Sequence, residues 1–164
     1  MCIRDRHAPI GVAAAVAGLA DAQEASDDAI AAGLLVEGPH AELSFAHPLY
    51  RAAIYADLRP TNRRGLHQEA GKVVDGRAGM AHRVAATLGA DEQLANELEV
   101  AASISTSGGD SSAAAWALEQ AASLSVDRGE RERRLLDAAV AHLSAADTDG
   151  AARVLACLLY TSCV

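Results

Sequence analysis

Aromatic residues are scarce in this chain, with one Trp, one Phe and three Tyr among 164 residues. A core built on large rings is excluded, and much of the 51% apolar content is alanine. Alanine favours helix and lets helix axes approach closely, while burying little area per residue. Packed helical layers with thin seams are expected. Cysteine is as scarce and stands only near the ends, at Cys2, Cys157 and Cys163. The body of the chain therefore has no disulfide framework, thiol nucleophile or thiolate metal site. Positive charge is also short: 14 Lys and Arg stand against 22 Asp and Glu, a net charge of −8. A chain of this sign repels nucleic acid and anionic membrane overall. No apolar run is long enough to span a bilayer.

The two ends are related through DNA. The stretch ATGTGTATAAGAGACAG translates as Met1-Cys2-Ile3-Arg4-Asp5 and begins a further codon. Its reverse complement, read from the second base, gives Cys157-Leu158-Leu159-Tyr160-Thr161 and begins a Ser codon. This DNA looks like the transposon end used to build sequencing libraries, and such scars are set aside before fold reasoning. Residues 1–6 and 157–164 are thus expected to be adapter sequence, and residues 7–156 an interior piece of a longer protein. That piece has no cysteine and, with Arg4, Arg6 and Asp5 removed, 12 basic and 21 acidic residues, a net charge of −9. Arg4 and Arg6 before the apolar stretch 9–20 imitate a secretory signal. Without them a cytoplasmic protein is expected.

Residues 21–32 predict a helix closed by Gly33. Leu34-Leu35-Val36 and Leu43-Ser44-Phe45 predict a hairpin around Glu37-Gly38-Pro39-His40. His47 stands at a cap position and Pro48 in a first helical turn. Arg59-Pro60-Thr61-Asn62 breaks that helix, and another is expected over 63–74. Helix, hairpin, helix is the outline of a winged-helix subdomain, assigned to residues 7–76. Beyond Gly76 and Gly79 the pattern is helical throughout, over 81–88, 91–105, 112–125, 130–145 and from 151 on. Leu94, Leu98, Ala101 and Ala102 form one stripe, and Leu135, Leu136, Ala139, Val140 and Leu143 another. A shift of 18 residues aligns Leu118 with Leu136 and Val154, and Ala121 with Ala139. That is about half a tetratricopeptide period, although Trp116 lacks the companions of the full consensus and a generic helical hairpin fits as well. The expected fold is mainly α, a winged-helix-like subdomain with one short β-hairpin followed by tetratricopeptide-like antiparallel helical hairpins over residues 77–156.

Candidate chemistry is thin. A recognition helix over 21–36 would carry Asp21, Glu24, Asp27 and Asp28 and no Lys or Arg, so DNA would repel it. The histidines His7, His40, His47, His67, His82 and His142 include no metal-binding pair at i, i+4, and scattered surface or capping roles are expected. Gly108-Gly109-Asp110-Ser111-Ser112 lacks the Lys of a phosphate loop and reads as a linker. Arg128-Gly129-Glu130-Arg131-Glu132-Arg133-Arg134 reads as a solvated helix start. No catalytic residue and no metal site are assigned.

Phe45-Ala46-His47-Pro48-Leu49-Tyr50-Arg51-Ala52-Ala53-Ile54-Tyr55, followed by Arg63-Arg64-Gly65-Leu66-His67, resembles a recurring stretch of large LuxR-family regulators. Further matches are Ala81-His82-Arg83-Val84-Ala85-Ala86, the run from Leu94 to Glu99, and Arg133-Arg134-Leu135-Leu136-Asp137-Ala138-Ala139. The likeness covers nearly all of residues 7–156. It implies a signal-transduction ATPase that regulates transcription, with a P-loop module before this segment and a DNA-binding helix-turn-helix after it. The segment would span the winged helix and the start of the helical sensor. It would hold no cofactor itself, would pack on the parent's ATP- or ADP-binding module, and would receive a protein or small-molecule inducer on its repeats. By the same resemblance His47 stands where a winged-helix histidine touches the phosphates of bound ADP. The simpler role, capping the helix begun by Pro48, is compatible with that contact. A freestanding helical-repeat scaffold for protein contacts is the alternative.

Overall fold

The computed structural model describes residues 7–161. The chain is mainly helical with one small antiparallel sheet. The expected adapter segment 1–6 lies outside the described residues, as do residues 162–164 of the other. The chain divides into two compact units at the 86/87 boundary.

In the first unit, β1 (His7–Pro9) leads into α1 (Ile10–Ala17) and α2 (Ala22–Ala31). The stretch that imitates a secretory signal therefore forms a strand and a helix. Pro9 ends an edge strand, where its missing N–H costs no ladder bond. Asp21 caps α2 by accepting the Glu24 N–H at 3.0 Å. Gly33 then takes a φ of 72°, a left-handed turn that glycine makes without steric cost, and sends the chain into β2 (Leu35–Gly38). A single 3-10 turn at Pro39–Ala41 closes the hairpin to β3 (Glu42–Phe45). Both partners of β3 are antiparallel, and the strand order is β1-β3-β2. The register sets His7 opposite Ser44 on one side and Leu35 opposite Phe45 on the other. Buried Leu43 lies in this central strand. α2, the β2–β3 hairpin and the helix that follows give the expected order of helix, hairpin and helix, with β1 as an extra strand on the far side of β3.

α3 (Pro48–Asp57) and α4 (Pro60–Val73) each begin with Pro in the first turn. Helix α4 starts three residues earlier than the sequence predicts, because Pro60 opens it instead of only ending α3. α5 (Gly76–Ala86) begins at a left-handed Gly76 and packs on α4, which also packs on α1. The expected seam at residue 76 therefore falls inside the first unit. A Cβ at Gly79 would collide with the Val74 carbonyl oxygen, so this turn needs a residue without one.

The second unit holds α6 (Glu92–Ser107), α7 (Ser111–Leu124), α8 (Arg128–Ser144) and α9 (Thr148–Thr161), each packed on the next. The last helix continues through residues 157–161 of the expected adapter. An aspartate starts every helix: Asp91, Asp110, Asp127 and Asp147 accept N–H bonds from Leu94, Ala113, Glu130 and Gly150 at 2.9–3.0 Å. Such caps are each worth about 1 kcal/mol. Asp91 and Asp127 are 36 positions apart and Asp110 and Asp147 are 37, so the structural repeat is a two-helix unit of that length. The seams are built on alanine, with Ala95, Ala114, Ala115, Ala121 and Ala138 fully enclosed around Leu98 and Val154.

One expected face is only partly right: Ala139 is buried and Leu135 half-buried. Leu136, Val140 and Leu143 of α8 are 52%, 63% and 56% exposed. The buried face of this helix is Arg134, Ala138, Ala139, Ala141 and His142. Close packing against α7 selects small side chains, and the large aliphatic ones are turned outward.

Candidate functional site

His47 is where the sequence places it, exposed at the start of α3. Its backbone is extended, and its ring Nδ1 accepts the Leu49 N–H at 3.1 Å. A neutral imidazole has one N–H, so an accepting Nδ1 leaves that hydrogen on Nε2. Tyr50 packs edge-on with ring centres 6.0 Å apart. His47, Tyr50 and Ile54 recur at i, i+3 and i+7, and Tyr50 and Ile54 are 43% and 44% exposed. α3 buries no side chain of its own.

Three of the histidines are less scattered than their spacing suggests. His67 on α4 accepts or donates through both ring nitrogens: Nε2 lies 2.9 Å from Tyr55 Oη on α3, and Nδ1 lies 2.8 Å from His82 Nδ1 on α5. Arg63 sits over the Tyr55 ring, 5.1 Å from its centre. Burial, the His82 charge and the Arg63 charge hold the His67 imidazole below its ordinary range. The third is His142, buried in α8 between two carboxylates, with Nδ1 2.8 Å from Asp147 and Nε2 2.6 Å from Glu119. Arg153 forks onto the same Glu119 at 2.8 and 3.1 Å. With both nitrogens engaged, this ring bridges α7, α8 and the cap of α9. The local sequence gives little warning of these pairs, since the partners stand 12, 15 and 23 positions apart. A hint lies in the short break at Leu58 and Arg59, which brings Tyr55 and His67 onto consecutive helices.

The charge run at the start of α8 is only partly solvated. Arg128 pairs with Glu132, and Arg133 reaches Glu99, Glu130 and Asp137. Arg134 is 1% exposed and spends its guanidinium on Glu92, Glu99, Asn96 and Ser125 at 2.6–3.0 Å. It joins α6 to α8. The glycine pair 108–109 is a tight turn between α6 and α7, and Asp110 beside it serves as a helix cap. Among the described residues, no three His, Cys, Asp or Glu side chains are grouped to hold a metal ion. None of the described helices is long and apolar enough to cross a membrane. No family model, curated protein or solved structure matches this chain.

Proposed function

We propose that the chain is a non-catalytic regulatory and interaction segment of a large ATP-dependent transcription regulator of the LuxR family, carrying its winged helix and the start of its helical sensor. The observation that supports this reading is a convergence. Tyr55, Arg63, His67 and His82 come from three separate stretches that carry the resemblance, and they meet in one cluster across α3, α4 and α5. In this reading α3 faces the parent's ATPase module with His47, Tyr50 and Ile54, and the His47 Nε2–H donates to a phosphate oxygen of bound ADP. A hydrogen bond to a charged group is worth about 1.5–3 kcal/mol. The antiparallel helices from α6 onward take a protein or small-molecule inducer in the cytoplasm. DNA is contacted elsewhere in the parent, because the acidic α2 is repelled by phosphate.

A second reading, a freestanding helical-repeat scaffold, is favoured by the exposed aliphatic row Leu136, Val140 and Leu143. Reading the genomic locus from unamplified DNA separates the two. A P-loop coding region upstream and a helix-turn-helix downstream support the regulator. A short reading frame with neither, and with native codons for residues 2–5 and 158–161, leaves the scaffold.

A further inference from the structure

The hydrogen-bonded line from Tyr55 through His67 to His82 crosses three helices, and its chemistry limits how many protons it can hold. A bond between two imidazole nitrogens needs one N–H and one bare lone pair. Of the facing Nδ1 atoms, 2.8 Å apart, one therefore carries hydrogen and the other does not. The Tyr55 hydroxyl adapts to either arrangement, donating to a bare Nε2 or accepting from a protonated one. The line accommodates a neutral pair or a singly charged pair. A second added proton sets two N–H groups and two like charges face to face.

Arg63 adds positive charge beside the pair. α3 supplies Tyr55. α4 supplies Arg63, and its Glu69 pairs with Lys72 at 2.6 Å. Besides His82, α5 carries Arg77 and Arg83 and no carboxylate, and Arg83 donates to the Met80 sulfur at 3.6 Å. α1, which also packs on α4, has no ionisable side chain. We propose that Tyr55, His67 and His82 form a proton-operated latch joining α3, α4 and α5, closed while the histidine pair holds at most one added proton and opened by the second. Because α3 buries no side chain, its order depends more on this bond than a well-packed helix would. The latch stands on these side chains alone and is independent of the nucleotide reading above.

Imidazole nitrogen NMR and amide hydrogen exchange on the full chain, followed from about pH 8 to about pH 5 across the range where histidine titrates, test it. His67 should titrate below 6.5. As it does, protection factors in α3 and α5 should fall by up to about tenfold per pH unit, the slope of one linked proton, while those of α6 to α9 do not follow. Tyr55→Phe keeps the ring beneath Arg63 and removes the hydroxyl; it should lower α3 protection already at neutral pH and leave the step in α5. His82→Ala should move the His67 titration up toward its ordinary value and remove the step. If that variant does not fold, the wild-type titration and Tyr55→Phe still decide. An ordinary His67 titration with protection independent of pH overturns the latch, as does wild-type α3 protection in Tyr55→Phe.

Discussion

Leu98 and Arg134 occupy the same place in successive repeats, 36 positions apart, and both are almost fully enclosed, at 0% and 1% exposure. The first fills its seam with an aliphatic side chain. The second lays its stem there and carries the charge to Glu92, Glu99, Asn96 and Ser125. A buried pair is costly to break from one side, because the remaining partners lose their compensation, and typical losses are about 3–5 kcal/mol. Glu92 and Glu99 retain some access to water, so Arg134→Ala should fall at the low end, about 3 kcal/mol. Arg134→Leu refills the seam as the previous repeat does but leaves the same partners uncompensated, so it should recover only the packing part of that loss. Urea unfolding of the two variants measures this, and equal losses would refute the equivalence.

Gly79 has the opposite constraint, since its Cα faces the Val74 carbonyl across the turn between α4 and α5. The obstacle is backbone and cannot swing aside. Gly79→Ala should therefore destabilise the first unit by about 1–3 kcal/mol, the usual range for forced overpacking, despite the higher helix propensity of alanine. A melting temperature at or above that of the wild type would contradict this.

Caps and turns were the legible part of the sequence. Gly33 and His47 with Pro48 mark boundaries through local backbone chemistry, and the structure uses each of them. The burial face of α8 was not legible. Hydrophobic periodicity assumes that large aliphatic side chains point inward, and here alanine packing reverses that for Leu136, Val140 and Leu143. The Tyr55–His67–His82 line was hidden for a different reason, because its members belong to separate helices and meet only once α3, α4 and α5 are assembled. The reversed face can be tested directly. Val140→Lys should change stability by no more than about 0.5 kcal/mol, as for an ordinary surface site. Ala138→Leu, on the enclosed side, should cost about 1–3 kcal/mol. Were Val140→Lys the more damaging of the two, the orientation of α8 would be wrong.

Acid should loosen the two units in sequence. The His67 imidazole is held low by burial, His82 and Arg63. Its contribution is complete above its ordinary value of 6.5 and is lost as pH falls through its lower folded value. For Glu99 and Glu119, burial works against the charged form, but hydrogen bonds from Arg134 and Arg133, and from Arg153 and His142, outweigh it. Those carboxylates stabilise the second unit above their ordinary 4.5 and lose that effect only below it. Trp116, the one tryptophan, lies on α7 in the second unit. Helical circular dichroism should begin to fall below 6.5 while Trp116 fluorescence holds until below 4.5. A single coincident transition would rule out the sequential loss.

His47 separates a structural role from a functional one. Its Nδ1 caps α3, so His47→Ala in this chain should cost about 1 kcal/mol or less. Asparagine is among the better N-caps, and His47→Asn should recover most of that loss. Its side chain is shorter, however, and does not place a donor where Nε2–H stands. If the parent protein binds ADP against this helix start, both substitutions remove the phosphate bond. A bond of about 1.5–3 kcal/mol corresponds to roughly tenfold or more in affinity. ADP retention would weaken in both variants, and if bound ADP favours a closed, inactive state, the population would shift toward the open one and raise basal transcription without inducer. Melting curves of this chain, ADP affinity of the parent and reporter output together give the answer. The expected pattern is stability rescued by asparagine with ADP binding weakened in both variants. Stability rescued with ADP binding unchanged would leave His47 as the cap of α3 and remove it from the nucleotide site.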